Sequence, residues 1–199
     1  MRILRSSNYQ RMPWKNGGGE TFEIAVSPPA ASLDTLDWRV SMAVVAGDGP
    51  FSRFADIDRT LCVLEGEGLR LAFADDGSVR TLDRAAPPFA FDADRPVQAQ
   101  LLGAAVTDLN TMTRRGRYRH TVSRAPIGEI LRTQDDAEAL LVFCTSGRIR
   151  VHTNEGAEAE LGTHDCVVLQ GPQDPRALTL FSTDAAAASA LLIEIECLL

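Results

Sequence analysis

The stretch Leu61-Cys-Val-Leu-Glu-Gly-Glu-Gly-Leu-Arg-Leu71 reads as two short strands joined by a glycine turn, because apolar residues alternate with others on both sides of Gly66 and Gly68. Eighty residues later Leu141-Val-Phe-Cys-Thr-Ser-Gly-Arg-Ile-Arg-Val151 repeats the arrangement. Each copy is followed by an Asp-Gly or Glu-Gly turn (Asp76-Gly77, Glu155-Gly156), a further strand and a proline-bearing segment (Pro87-Pro88, Pro172). The matched order of elements points to a duplicated unit. Outward from the two hairpins, runs of strand character lie at 21–27, 38–45, 60–65, 69–73, 104–112, 140–145, 148–152, 166–170, 177–181 and 190–197. Helical patterning is confined to 135–138 and 185–188. The predicted fold class is all-β, with similar barrels in tandem over residues 1–115 and 116–199. One compact unit whose terminal strands exchange between barrels is the alternative.

Apolar residues make up 45% of the 199 and charged residues 24%, at a mean hydropathy of −0.06, which is enough to bury a core. No apolar run approaches the ~20 residues that span a bilayer, and Met-Arg-Ile-Leu-Arg at the start lacks an apolar signal core. The expectation is a soluble, cytoplasmic protein with no membrane partner. A net charge of −7 and a pI near 5.0 argue against nucleic acid as a partner. Cys62, Cys144, Cys166 and Cys197 form no Cys-x-x-Cys pair, and each sits in an apolar run, as buried thiols do. His120, His152 and His164 are 32 and 12 residues apart, with no His-x-His or His-x-x-x-His, so no metal site is expected. The Gly-x-Ser-x-Gly of a nucleophile elbow is also missing.

The residues of interest lie mainly in the first half. Lys15, the single lysine, and Asn16 precede Gly17-Gly18-Gly19, whose backbone can take positive φ or pass close to a ligand; a turn plugged by Trp14 is the plainer reading. At 38–45, alternation sends Arg39, Ser41 and Ala43 to one face and Trp38, Val40, Met42 and Val44 to the other, without saying which faces inward. Arg59 enters the central hairpin strand as a candidate carboxylate clamp, with Asp56 or Asp58 as an alternative local partner. On 104–112, Asp108, Asn110 and Met112 share a face that continues to Arg114, and an inward Asn110 requires a partner. The run Arg114, Arg115, Arg117, Arg119 and Arg124 reads as a solvated loop or an ion-pair surface between subunits.

The hairpin Val63-Leu-Glu-Gly-Glu-Gly68 resembles that of the cupin fold, without the histidines of metal-binding cupins. More specifically, Trp14-Lys-Asn-Gly-Gly-Gly19 with Thr21 and Glu23, Asp37-Trp-Arg-Val-Ser41, Gly49-Pro-Phe-Ser-x-Phe54, Ile57-Asp-Arg-Thr-Leu61, Val63-Leu-Glu-Gly66 and Asp108-Leu-Asn-x-Met112 with Arg114 resemble the HutD/Ves family of bacterial bicupins. The match is strong over residues 11–115; in the second half only length and strand rhythm agree. The resemblance implies double-stranded β-helix (cupin) barrels duplicated in tandem, free of metal and cofactor and often dimeric. It also implies an association with histidine utilisation or with stress, and a ligand that is a small carboxylate, N-formylglutamate being the candidate. On this chain the motif positions that would line the pocket are Lys15, Asn16, Arg39, Ser41, Arg59, Asn110 and Arg114. Two other readings stand beside this one. An isomerase, hydrolase or lyase for an acylated amino acid would use Lys15 or Glu65 as acid or base. An interaction scaffold would use the 114–124 run.

Overall fold

The computed structural model describes residues 1–14, 17–132, 137–170, 177–184 and 187–198. Among these, every regular element is a strand except one 3-10 turn at Ser6–Asn8. The chain divides into two compact units, one of Gln10–Tyr118 and one of Met1–Tyr9 with Arg119–Leu199. The first residues therefore group with the C-terminal unit. They do so because β1 (Arg2–Leu4) pairs antiparallel with a strand at 166–168.

The N-terminal unit holds β2 (Gln10–Pro13), β3 (Gly19–Ser27), β4 (Trp38–Val45), β5 (Gly49–Pro50), β6 (Ile57–Glu65), β7 (Leu69–Phe73), β8 (Val79–Leu82), β9 (Phe89–Asp92), β10 (Val97–Leu101) and β11 (Val106–Arg114). They form a six-stranded sheet, β2-β3-β4-β11-β6-β9, and a four-stranded sheet, β5-β10-β7-β8. Leu61, Val63 and Val106 of the larger sheet meet Leu69, Leu71, Phe73, Leu82, Val97 and Ala99 of the smaller in one core, bordered by Phe89 and Phe91. Phe73 meets Phe91 edge-on with ring centres 5.6 Å apart, the geometry aromatic quadrupoles favour.

The C-terminal unit adds β12 (Tyr118–Arg124), β13 (Ile130–Arg132), β14 (Ala137–Ser146), β15 (Ile149–Thr153), β16 (Glu158–Leu161), β17 (Cys166–Gln170), β18 (Ala177–Ser182) and β19 (Ser189–Cys197). Its sheets run β1-β17-β14-β19-β12 and β13-β18-β15-β16. Adding eight to each strand number turns β4-β11-β6-β9 into β12-β19-β14-β17, and β5-β10-β7-β8 into β13-β18-β15-β16. The shared strand order is complete; β2 and β3 extend one unit beyond it and β1 the other. Residues 137 and 138, expected in a helical turn, open β14 instead, and Ala187 and Ala188 are not helical. The remaining positions of those two expected turns, 135, 136, 185 and 186, lie outside the described residues.

The hairpins differ by one residue. In the N-terminal unit three residues, Gly66-Glu67-Gly68, join β6 to β7; in the other, Gly147-Arg148 joins β14 to β15. Gly66 and Gly68 sit at φ +92 and +117, and a Cβ at Gly68 would come within 2.3 Å of the Leu82 carbonyl, so side chains are barred there. With Leu69 and Ile149 aligned, the interior residue Leu61 corresponds to Val142 rather than to Leu141 as the ungapped comparison has it. A one-residue shift moves every side chain of a strand to its other face, so the distinction decides which residues can be compared.

Three arginines of the basic run make ion pairs within the chain. Arg115 binds Asp58 at 2.7 Å and Asp94 at 3.2 Å, Arg117 binds Asp37 at 3.0 Å, and Arg119 donates to the buried Glu196 at 2.6 Å. Part of it is strand β12 rather than a loop. Of the thiols, Cys144 and Cys166 are buried and Cys62 and Cys197 only partly so; none is in a disulfide.

A compact knot ties the first residues down. Asp165 accepts from the Ser6 N–H at 2.8 Å, Arg5 Nη1 at 2.7 Å and the Gly162 N–H at 3.1 Å, while the Tyr9 hydroxyl donates to the His164 carbonyl at 2.7 Å. Burial alone would raise the Asp165 carboxyl pKa, but these donors outweigh it and hold it below the ordinary range. Asp165→Ala orphans two backbone N–H groups and is expected to lower stability by about 2 to 4 kcal/mol in urea denaturation at neutral pH. The wild-type advantage should fade as pH falls through the depressed folded-state value, because the contribution requires the ionised carboxyl.

Candidate functional site

The middle of the six-stranded sheet carries polar side chains where a core would ordinarily be apolar. Register places Arg39, Met112 and Arg59 side by side on β4, β11 and β6; the next row is Ser41, Asn110 and Leu61, and the next Ala43, Asp108 and Val63. Strand alternation keeps these rows on one face. That face floors a cavity of about 520 Å³, a volume suited to a small organic molecule. Trp14, Phe51 and Phe54 are among the residues that wall it. Arg39, Ser41, Arg59, Asp108 and Asn110 all border it, each at most 8% exposed.

A chain of hydrogen bonds runs across the floor. Arg59 Nε donates to Asn110 Oδ1 at 2.8 Å, and Arg59 Nη2 donates to the same oxygen. Asn110 Nδ2 then donates to Asp108 Oδ1 at 2.6 Å. The amide is oriented by its neighbours: its oxygen must face the guanidinium and its nitrogen the carboxylate. The Arg59 guanidinium also lies 4.6 Å from the centre of the Phe51 ring. Asp108 Oδ2 is buried without a hydrogen-bond partner among the described residues. Burial pulls the Arg59 pKa down to about 10, the Asp108 charge opposing this and Arg39 adding to it, so the group stays cationic at neutral pH. Burial pushes Asp108 up to about 6, against the pull of Arg59 and the Asn110 donor.

Arg39 is held at the other side of Met112, its Nε donating to Glu23 Oε2 at 2.9 Å. Trp14 is fixed by its indole N–H, which donates to Thr21 Oγ1 at 2.8 Å. Gly19 explains part of the glycine run: a Cβ there would stand 2.2 Å from the Val44 carbonyl and 3.0 Å from the Trp14 ring. The strand thus reaches its neighbour only as glycine, with Trp14 folded over it.

Four of the seven residues singled out from sequence therefore meet at the cavity: Arg39, Ser41, Arg59 and Asn110. Lys15 and Asn16 lie outside the described residues. Arg114 is not at the cavity, contrary to the strand-face argument. At the end of β11 its guanidinium swings to the carbonyls of Asp34 at 2.9 Å and of Leu36 and Ala55 at 3.3 Å, fastening two loops. Asp58, one of the alternative local partners for Arg59, accepts instead from Arg115. Glu65, the alternative acid or base, is exposed at the end of β6 and accepts from Thr107 at 3.2 Å. Asp108 was missing from the sequence set. Its signal was an acid two residues before Asn110 in a strand with little room for charge.

Three of the corresponding positions of the C-terminal unit, counted back from its hairpin, are apolar. Leu140 stands for Arg59, Leu192 for Asn110 and Ala190 for Asp108, and all three belong to the packed core of that unit. Among the described residues no three His, Cys, Asp or Glu side chains are grouped so as to hold a metal ion. No helix among them is long and apolar enough to cross a membrane.

A family model described as HutD matches residues 6–191. A Pseudomonas putida relative described as an uncharacterized 21.2 kDa protein in the hutC 3' region is 36% identical over 171 residues, 86% of this chain and 87% of its own. Protein Ves of Cronobacter sakazakii is 31% identical over 170 residues, 81% of this chain and 90% of its own. A solved structure of HutD from Pseudomonas fluorescens SBW25, in a formate condition, has a TM-score of 0.82 at 30% identity and covers 98% of each chain. A cupin 2 conserved barrel domain protein from Leptotrichia buccalis has a TM-score of 0.56 at 12% identity over 89% of this chain and 88% of its own, a likeness of fold alone. The architecture is all-β and cupin-like.

The raised pKa of Asp108 makes a signed prediction. The folded chain retains a proton that the unfolded chain has already lost, so stability from this group is full below about pH 4 and is lost as pH rises through about 6. Measured against Asp108→Asn in urea titrations, the wild type should lose up to about 3 kcal/mol across that interval. A flat difference would mean that the carboxyl titrates as an ordinary exposed one.

Proposed function

This chain belongs to the HutD family, a family associated with histidine utilisation, and we propose that its N-terminal cavity binds a small organic carboxylate as a regulatory ligand. The observation that carries this reading is the state of Arg59. A guanidinium largely withdrawn from water, as that of Arg59 is, is costly unless its donors are met. Asn110 occupies Nε and one Nη2 hydrogen, and among the described residues nothing takes the Nη1 hydrogens. Arg39 supplies a second guanidinium across Met112, Ser41 a hydroxyl, and Trp14 and Phe51 cover for an aliphatic body. Lys15 and Asn16, which follow Trp14 directly in sequence, are proposed to add an ammonium and an amide donor. N-formylglutamate is the candidate ligand, and modulation of histidine utilisation or of a stress response is the proposed consequence.

Two further points belong to this reading. The shared strand order supports a tandem duplication in which the N-terminal copy kept a polar interior and the C-terminal copy filled its own with Leu140, Ala190 and Leu192. An enzyme for a small acylated amino acid is the second reading. It is favoured by Asp108, a buried carboxyl poised near neutrality at the cavity, rather than by Glu65.

Thermal denaturation tests the first reading. N-formylglutamate or urocanate at about ten times its Kd adds about 1.4 kcal/mol, a rise of about 3 to 5 °C for a chain of this size. Arg59→Ala should abolish the rise while circular dichroism reports a folded chain. Absence of any shift over a panel of small acids would overturn the reading. Conversion of the acid, followed by NMR over hours, would promote the enzyme.

A further inference from the structure

We infer that the cavity selects carboxylates that bring a hydrogen-bond donor of their own, an N–H set against Asp108 Oδ2 while the acid group meets the arginines. The inference rests on the carboxylate reading above and narrows its ligand class. Its starting point is that Asp108 is not simply the counter-ion of Arg59. Asn110 stands between them, taking the guanidinium on its oxygen and giving its N–H to one carboxylate oxygen only. The second oxygen is buried and has no partner among the described residues, and its residue, 1% exposed, is one of those that line the cavity. Its flanking cross-strand neighbours, Ala43 and Val63, have no side-chain donor to offer.

A buried carboxylate oxygen left unpaired is among the more expensive states of a polar atom, and an amide or an apolar side chain would fill the place at lower cost. A donor delivered by the ligand removes that cost on binding, whereas a ligand with only acceptors or methylenes there leaves it standing. Sites built to pair a substrate N–H or O–H discriminate by large factors against analogues lacking it, for this reason. The spacing follows from the strand. Arg59 reaches Asn110, and Asp108 lies two residues further along β11, about 7 Å at strand rise. The ligand is therefore a short bifunctional molecule, acid at one end and N–H within a few bonds of it, and not a simple fatty acid or dicarboxylate.

Matched acids that differ only by N–H against CH2 provide the test. The N-acetyl derivatives of glycine, β-alanine and 4-aminobutanoate are compared with their methylene isosteres, ending with 6-oxoheptanoate, by calorimetry at about pH 8, where Asp108 is ionised. Glutarate serves as the plain acid. In the wild type at least one amide is expected to bind tenfold or more tighter than its isostere, and Asp108→Asn, checked for folding by circular dichroism, to bring the ratio within about threefold. Equal binding within every pair, or binding by glutarate and by no amide, overturns the inference and leaves the carboxylate reading intact. A preference unchanged in Asp108→Asn overturns the assignment to Asp108. If no acid binds at all, glutarate included, the carboxylate reading falls and this inference with it.

Discussion

A positive charge enclosed by protein must be met by acceptors, and the N-terminal unit is organised around that demand. Arg59 is the enclosed charge. Asn110 meets it, Asp108 meets Asn110, and the three come from neighbouring strands whose register brings them into line. Because the bonds lie across β6 and β11, neither strand can slip by a residue without reversing the faces of all its side chains and breaking the chain of bonds. The arrangement thus fixes register and creates a polar floor at once. Around it, Trp14 and Phe51 supply the low-polarity walls in which such bonds are strongest.

The two units put one strand order to different uses. In the C-terminal unit the equivalent floor is closed by Leu140, Ala190 and Leu192, which pack with Ile149, Val151 and Leu161. An apolar interior of this kind needs no partner for stability and offers none to a ligand. In the N-terminal unit the same strands leave space and charge. Stability is a margin of a few kcal/mol over large opposing terms, so a fold carrying a polar void gives up part of that margin locally.

Much of this was legible in the sequence where a strand is long and its alternation spans a buried face. The run at 38–45 coincides with β4, and 69–73 and 166–170 with β7 and β17. The strands that escaped notice are mostly short or exposed edges, such as β2 and β12, whose side chains largely face solvent and so lack an apolar rhythm. β10 carries a clear alternation of Val97, Ala99 and Leu101 and was passed over behind its prolines. At the site, sequence identified the residues and not their direction. Both faces of β4 are buried, Trp38 and Val40 as fully as Arg39 and Ser41, so alternation alone offers no reason to prefer either. Arg114 shows the opposite limit: it keeps the alternation of Asn110, yet a long side chain at a strand end goes where loop carbonyls attract it. Asp108 carried a sequence signal, an acid two residues before Asn110, but which of its oxygens is held and which is left over follows only from the placed Asn110 amide.

The pairing of β1 with β17 has a consequence for how the chain acquires its structure. Its partners are about 160 positions apart, the register joining Arg2 to Val168 and Leu4 to Cys166. During synthesis residues 2–4 therefore emerge long before their mate exists, and the sheet they complete cannot close until synthesis has passed residue 168. Contacts of such long range carry the full entropic penalty of loop closure and slow folding accordingly. The segment 10–118, whose strands pair among themselves, is free of that wait.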